Sequence, residues 1–245
     1  MPHLPPDYSR HDGLYRKFRD QGANGWNDER AESYQEMFQF ISPDLPPATH
    51  GNTVLTLEIG CGAGNFSILL AQNGYRVTGV DISPIAIEWA VERANSINME
   101  MDFRVDNVLA LVNCGDAMFD LVVDGHCLHC IIGEDRASCF AAVWRVLKAG
   151  GSFVVLTMCG AVTNQKMLTS FDHDRKVTLH HGQPTRYIGD VDTIVSEITS
   201  AGFVAETVRV VPRKDADDMD NLIVRARKRA ETFTPRRCDL VSLGS

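Results

Sequence analysis

The stretch Glu58-Ile59-Gly60-Cys61-Gly62-Ala63-Gly64-Asn65, printed "EIGCGAGN", decides how this chain is read. It ends a β-branched and apolar run, "TVLTLEIG" (53–60), which has the composition of a strand. It also opens "NFSILLAQNG" (65–74), where Phe66, Leu69 and Leu70 share a helical face and Gly74 is placed to end the helix. Glycines between a strand and a helix let the backbone turn tightly and approach a ligand with no Cβ in the way. The helix start behind them offers unpaired N–H groups. A dinucleotide fingerprint, G-x-G-x-x-G, would put its third glycine at position 65, where this chain has Asn65. Glu58 stands two positions before the first glycine; a carboxylate there repels a pyrophosphate and suits a cationic ligand.

The same alternation continues outward from this loop. "YRVTGVDIS" reads as a second strand, and Ser83-Pro84 opens the next helix with a hydroxyl cap and a proline at the first helical position. "MDFRVDN" and "MFDLVVDG" read as the third and fourth strands. "DRASCFAAVWRVLKAGG" reads as a helix with Cys139, Val143 and Leu147 along one stripe, and "SFVVLTMCG" as the fifth strand. Such β-α alternation calls for an α/β domain with a mostly parallel sheet and helices on both faces. Residues 158–190 are less regular and are expected to form a lid over an acceptor. A helix at 191–201 and two strands, "FVAETVRVV" and "NLIVRARK", then close the ordered part as an antiparallel pair at one edge. Residues 1–50 read as a cap: a Pro-rich start, a polar stretch with Tyr15, Trp26 and Tyr34, and a short amphipathic helix carrying Tyr34, Met37, Phe38 and Ile41. We read 1–245 as one domain, with its core at 53–157 and its C-terminal helix and strands at 191–229.

Bulk properties narrow the function. With 245 residues, 44% hydrophobic and 23% charged, the chain can bury a core without disulfide staples. Seven scattered cysteines fit a reducing compartment. "MPHLPPDYSR" lacks the order of a signal peptide, and no apolar run reaches spanning length, so a cytoplasmic location without membrane association is expected. A net charge of −8 disfavours nucleic acid as a partner. The basic run "RARKRAETFTPRR" reads as a strand end leading into a solvated tail.

The pattern resembles the class I S-adenosylmethionine-dependent methyltransferases. Their signature after the first strand is an acidic residue, x, G-x-G-x-G, which "EIGCGAG" matches in full. The resemblance covers about 53–157 and implies a three-layer Rossmann-like fold, a seven-stranded mostly parallel sheet with a C-terminal antiparallel pair, and S-adenosylmethionine as cofactor. It implies that Glu58, Gly60, Cys61, Gly62 and Gly64 border the donor. Asp81, with Ile82 beside it, would hold the ribose hydroxyls, and Asp106 with Asn107 would read the adenine. Asp124 would touch the donor's amino acid part or orient a histidine. Tyr15 and Trp26 are offered as aromatic faces near the sulfonium, Trp26 equally as an anchor of the cap.

The stretch Asp124-Gly125-His126-Cys127-Leu128-His129-Cys130 has three readings. His126 and His129 are candidates for a base or hydrogen-bond donor toward the acceptor, since the resemblance places this strand end beside the methyl donor. Cys127 and Cys130 have C-x-x-C spacing, but no second ligand pair follows, so no metal is expected. Ordinary packing is the third reading, favoured for Leu128. The expected function is methyl transfer to a small-molecule acceptor. A non-catalytic donor- or metal-binding protein and a nicotinamide-dependent reductase are the rivals.

Overall fold

The computed structural model describes residues 4–26, 31–49, 51 and 53–229. The tail beyond 229, with most of the basic run, lies outside the described residues.

The cap consists of helices α1 (Arg10–Asp20) and α2 (Ala31–Ile41), followed by a short 3-10 turn. The body then alternates β1 (Leu55–Ile59), α3 (Asn65–Gln72), β2 (Arg76–Asp81), α4 (Pro84–Ser96), β3 (Asp102–Val105), β4 (Phe119–Gly125), α5 (Asp135–Val146) and β5 (Leu147–Cys159). Next come the one-turn helix α6 (Gln165–Leu168) and the strands β6 (Phe171–Asp172), β7 (Val177–His180) and β8 (Gln183–Tyr187). Helix α7 (Val191–Ser200) and the strands β9 (Phe203–Val211) and β10 (Asp220–Lys228) complete the described chain.

Seven strands form one sheet in the order β3-β2-β1-β4-β5-β10-β9. β1 pairs in parallel with β2 on one side and β4 on the other, and β10 pairs antiparallel with both β5 and β9. The chain order therefore reverses between β1 and β4, and a crevice opens at the carboxyl ends of these two strands. One face of the sheet packs Leu57, Ile59, Val122, Phe153 and Val155 against α5 and α7; the other packs Leu121, Val123, Val154 and Leu156 against α2 and α3. The central strands are buried on both faces, which is why they read as continuous apolar runs rather than alternating ones.

The Ser83 cap forms as expected, its hydroxyl accepting from Ala86 N at 3.1 Å. Three features differ from the sequence reading. The polar stretch before Trp26 contains a full helix, α1. It escaped a periodicity search because only Tyr15 on it is buried. β5 begins at Leu147 rather than Ser152, with a register irregularity opposite Phe119 and Leu121. Residues 171–187 are not irregular but form a small antiparallel sheet, β6-β7-β8, whose short strands carry no long pattern to read.

Candidate functional site

A cavity of about 240 Å³ occupies the crevice. Its floor is the glycine loop. Gly60 (φ 66°) and Gly62 (φ 54°) are both left-handed. A Cβ on Gly60 would lie 2.5 Å from the Cys127 side chain, and one on Gly62 would lie 2.4 Å from the Tyr15 hydroxyl. The loop is thus closed in from the β4 side and from the cap, and neither position has room for another residue. Gly64 serves helix packing instead. A Cβ there would meet Ala90 and Phe103 at 2.9 Å, so its absence lets α3 and α4 approach. Asn65, which displaces the dinucleotide glycine, ties the cap down. Its amide donates to Asn24 O at 2.8 Å and its oxygen accepts from Arg93 at 2.6 Å.

Two buried carboxylates border this floor. Asp81 accepts from Gly62 N and Ser83 N, both at 2.9 Å, and burial raises its pKa. Glu58 accepts from the Ser67 hydroxyl; burial, with Asp81 and Asp124 nearby, raises its pKa to about 8. Cys61, Ile82 and Asn107 also line the cavity, with Val108 and Leu109 as apolar wall. Tyr8, Tyr15, Trp26, Tyr34 and Phe66 supply aromatic wall. Trp26 lines the cavity and meets the rings of Tyr15 (5.1 Å), Phe18 (5.4 Å) and His11 (5.6 Å).

Two of the expected donor-binding carboxylates are placed otherwise. Asp106 does not line the cavity. Its oxygens accept from Asn107 N, Val112 N and Asn113 N at 2.8–3.1 Å, so it is the tie of its own loop, and the residue beside it, Asn107, lines the cavity. Asp124 is fully buried and accepts from Cys127 N (2.7 Å) and Leu128 N (2.9 Å), shaping the turn after β4 rather than orienting a histidine. Burial raises its pKa to about 7.

That turn delivers His126 and His129 to the cavity wall, their rings 5.6 Å apart and edge to face. His126 sits at φ 73° and donates its backbone N–H to Leu156 O. Burial lowers its pKa to about 4, and burial with His126 and Arg186 nearby lowers that of His129 well below the usual range. Both rings are therefore neutral near pH 7. His129 Nδ1 is buried with no protein partner among the described residues. Cys127 and Cys130 also line the cavity, while Leu128 is core. Among the described residues no group of three or more His, Cys, Asp or Glu side chains is arranged to hold a metal ion.

The sequence reading missed what fixes the histidine turn. Arg136, on α5 and only 3% exposed, donates to Leu128 O (2.8 Å) and Ile131 O (3.3 Å), pairs with Glu197 of α7 at 2.6 Å, and stacks on Tyr187 at 4.3 Å. Tyr8 and His11 of the cap, and Arg186 of β8, also reach the cavity. In the 158–190 segment, expected as a lid, His173, His180 and His181 are exposed and off the cavity wall, Tyr187 stacks under Arg136, and Arg186 lines the cavity.

Arrangement and ancestry agree. The strand order, the reversed C-terminal pair and the acid-glycine loop at the switch point define a Rossmann-like methyltransferase fold. Residues 57–155 match the family model described as "Methyltransferase domain". The chain is 35% identical over 105 residues to a ubiquinone biosynthesis O-methyltransferase of Methylobacterium sp., covering 42% of this chain and 41% of that one. It is 37% identical over 112 residues to a 2-methyl-6-phytyl-1,4-hydroquinone methyltransferase of Synechocystis sp., covering 45% and 32%. The chain thus spans less than half the length of either relative. A Burkholderia thailandensis 1,6-didemethyltoxoflavin-N1-methyltransferase, solved with its substrate and S-adenosylhomocysteine, superposes with a TM-score of 0.67 at 22% identity, over 91% of this chain and 87% of that one. Residues 57–155 thus match a methyltransferase domain, and the chain has the Rossmann-like fold of the S-adenosylmethionine-dependent methyltransferases.

Proposed function

We propose that this protein transfers the methyl group of S-adenosylmethionine to a small-molecule acceptor. The observation that carries the reading is the pair of buried carboxylates, Glu58 and Asp81, set against a glycine loop that admits no Cβ. Such a floor offers a polyphosphate no cation and, as Glu58 ionises, suits a cationic nucleoside. The residues fit the group: Asp81 is placed for ribose hydroxyls, Asn107 with Val108 and Leu109 for the base, and Glu58 for the cationic end. When bound, S-adenosylmethionine supplies an electrophilic methyl whose leaving group is a neutral thioether.

The protein's own share is alignment and exclusion of water. Tyr15 and Trp26 close the floor from the cap, with faces suited to a sulfonium. His126 and His129, neutral and lining the same cavity, would take or share the acceptor's proton where it has one to lose. Small phenols, amines and thiols, the O, N and S classes, should be incubated with the protein and S-adenosylmethionine, and S-adenosylhomocysteine measured. Formation above the acceptor-free rate with one class is expected. None with any class contradicts the proposal. With that acceptor, His126→Ala and His129→Ala should lower turnover by about 10²- to 10⁴-fold if they serve as base. Donor affinity should hold within about twofold.

A further inference from the structure

Resting on the donor reading just given, we propose that the acceptor carries a carboxylate, held by Arg186 with the His129 ring beside it. Arg186 lies on β8 and lines the cavity wall that holds both histidines. Among the described residues its buried Nε has no hydrogen-bond partner, and no acidic side chain lies within ion-pair distance of it. Other buried or half-buried arginines are engaged: Arg136 pairs with Glu197, Arg209 with Asp44, Arg213 with Asp220 and Arg225 with Glu206, while Arg93, whose Nε is also unpartnered among the described residues, gives its other two nitrogens to Asn65 and Asn24. Arg186 is half-buried with no anion beside it, and a guanidinium drawn partly out of water and left unpaired is disfavoured, so its donors are open to a ligand in the cavity it lines.

The rest of the wall agrees. His129 Nδ1 is a second buried polar atom with no partner. The acid felt most by the neighbouring His126 is Asp218, which is engaged by Met219 N and Lys214 N of its own loop. A second cleft of about 60 Å³, bounded by Asp7, Arg10 and Pro184, shares Arg186 as lining, and there Arg10 has Asp7 as its charge neighbour. One uncompensated, planar, two-toothed cation therefore faces the acceptor space. That matches a carboxylate in charge and shape. The cavity is then polarised along its length, with carboxylates under the donor and a guanidinium toward the acceptor. A bound carboxylate would leave the far end of the acceptor pointing back at the glycine loop, where the methyl group would be delivered.

Matched probes test this. The protein is first saturated with S-adenosylhomocysteine, then titrated by calorimetry with benzoate against benzamide and phenylacetate against phenylacetamide. Each carboxylate should bind about tenfold or more tightly than its amide. In Arg186→Gln the two members of each pair should come within about twofold, while Arg186→Lys retains part of the preference. S-adenosylhomocysteine affinity should be unchanged in both variants, which also reports that they are folded. Equal binding of amides and carboxylates, a preference that survives Arg186→Gln, or no binding of any probe to the loaded protein would overturn the proposal. Should S-adenosylhomocysteine itself fail to bind, the donor reading falls; the same pairs titrated into the free protein still decide the carboxylate.

Discussion

The two ends of the cavity are built in opposite ways. The donor end is made by local sequence: one strand, one glycine loop and one helix place Glu58, Gly60, Gly62 and Gly64 within a few residues, and Asp81 satisfies Gly62 N across the neighbouring strand. The acceptor end is assembled from afar. The turn after β4 supplies the histidines, α5 supplies the clamp, β8 supplies Arg186 and the cap supplies Tyr8 and His11. The charge logic is opposite as well. Burial holds carboxylates up at one end and imidazoles down at the other. A shared cofactor asks for the first kind of construction and an individual acceptor for the second, because distant segments can be varied without disturbing the loop.

The largest effect that would sharpen this contrast is at the clamp. Arg136→Ala strips the Glu197 carboxylate and two carbonyls of a buried partner, so unfolding in urea should show a loss of about 3–5 kcal/mol. A loss under about 1 kcal/mol would mean that the histidine turn stands without it.

Next in size is the pH dependence of stability, which should separate the two ends. His126 has a folded pKa of about 4 against 6.5 when free. The unfolded chain takes up the proton first, so stability is full above 6.5 and falls as pH drops toward 4, by about 3 kcal/mol from this group. Glu58, raised to about 8 from 4.5, behaves in the reverse sense: its folded form keeps the proton, and stability falls as pH rises from 4.5 through 8. Glu58→Gln should flatten the alkaline limb alone, and His126→Gln the acid limb alone. Limbs that do not separate would break the comparison.

Smaller again is the effect at the proposed ribose contact. Asp81→Ala should weaken S-adenosylhomocysteine binding by about 1–3 kcal/mol, measured by calorimetry. The smallest effect belongs to the cap. Arg19 pairs with Glu92 of α4 at 2.6 Å on the surface, and Arg19→Ala should change the unfolding free energy by less than about 1 kcal/mol.

What the sequence disclosed follows the same division. β1, the glycine loop, α3 and the Ser83-Pro84 cap were legible because each is a short-range pattern with a local physical cause. Asp106 shows the limit of spacing: a carboxylate at a strand end serves equally well as a ligand or as the tie of a loop, and only the partners of its oxygens distinguish them. Helix α1 was hidden by its solvated surface, although Asp12 on it caps α4 through Ser83 and Ile85 N. Arg136 carried no signal at all, since nothing local tells a buried arginine from a surface one.

The central claim is that the loop at 60–64 and its carboxylates hold a sulfonium nucleoside. Calorimetric titration with S-adenosylmethionine and S-adenosylhomocysteine, beside NADH, tests it most directly. Saturable one-to-one binding of the first two is expected, with S-adenosylmethionine affinity rising with pH through about 8 as Glu58 ionises beneath the cation. Heat from NADH and none from either sulfur compound would contradict it.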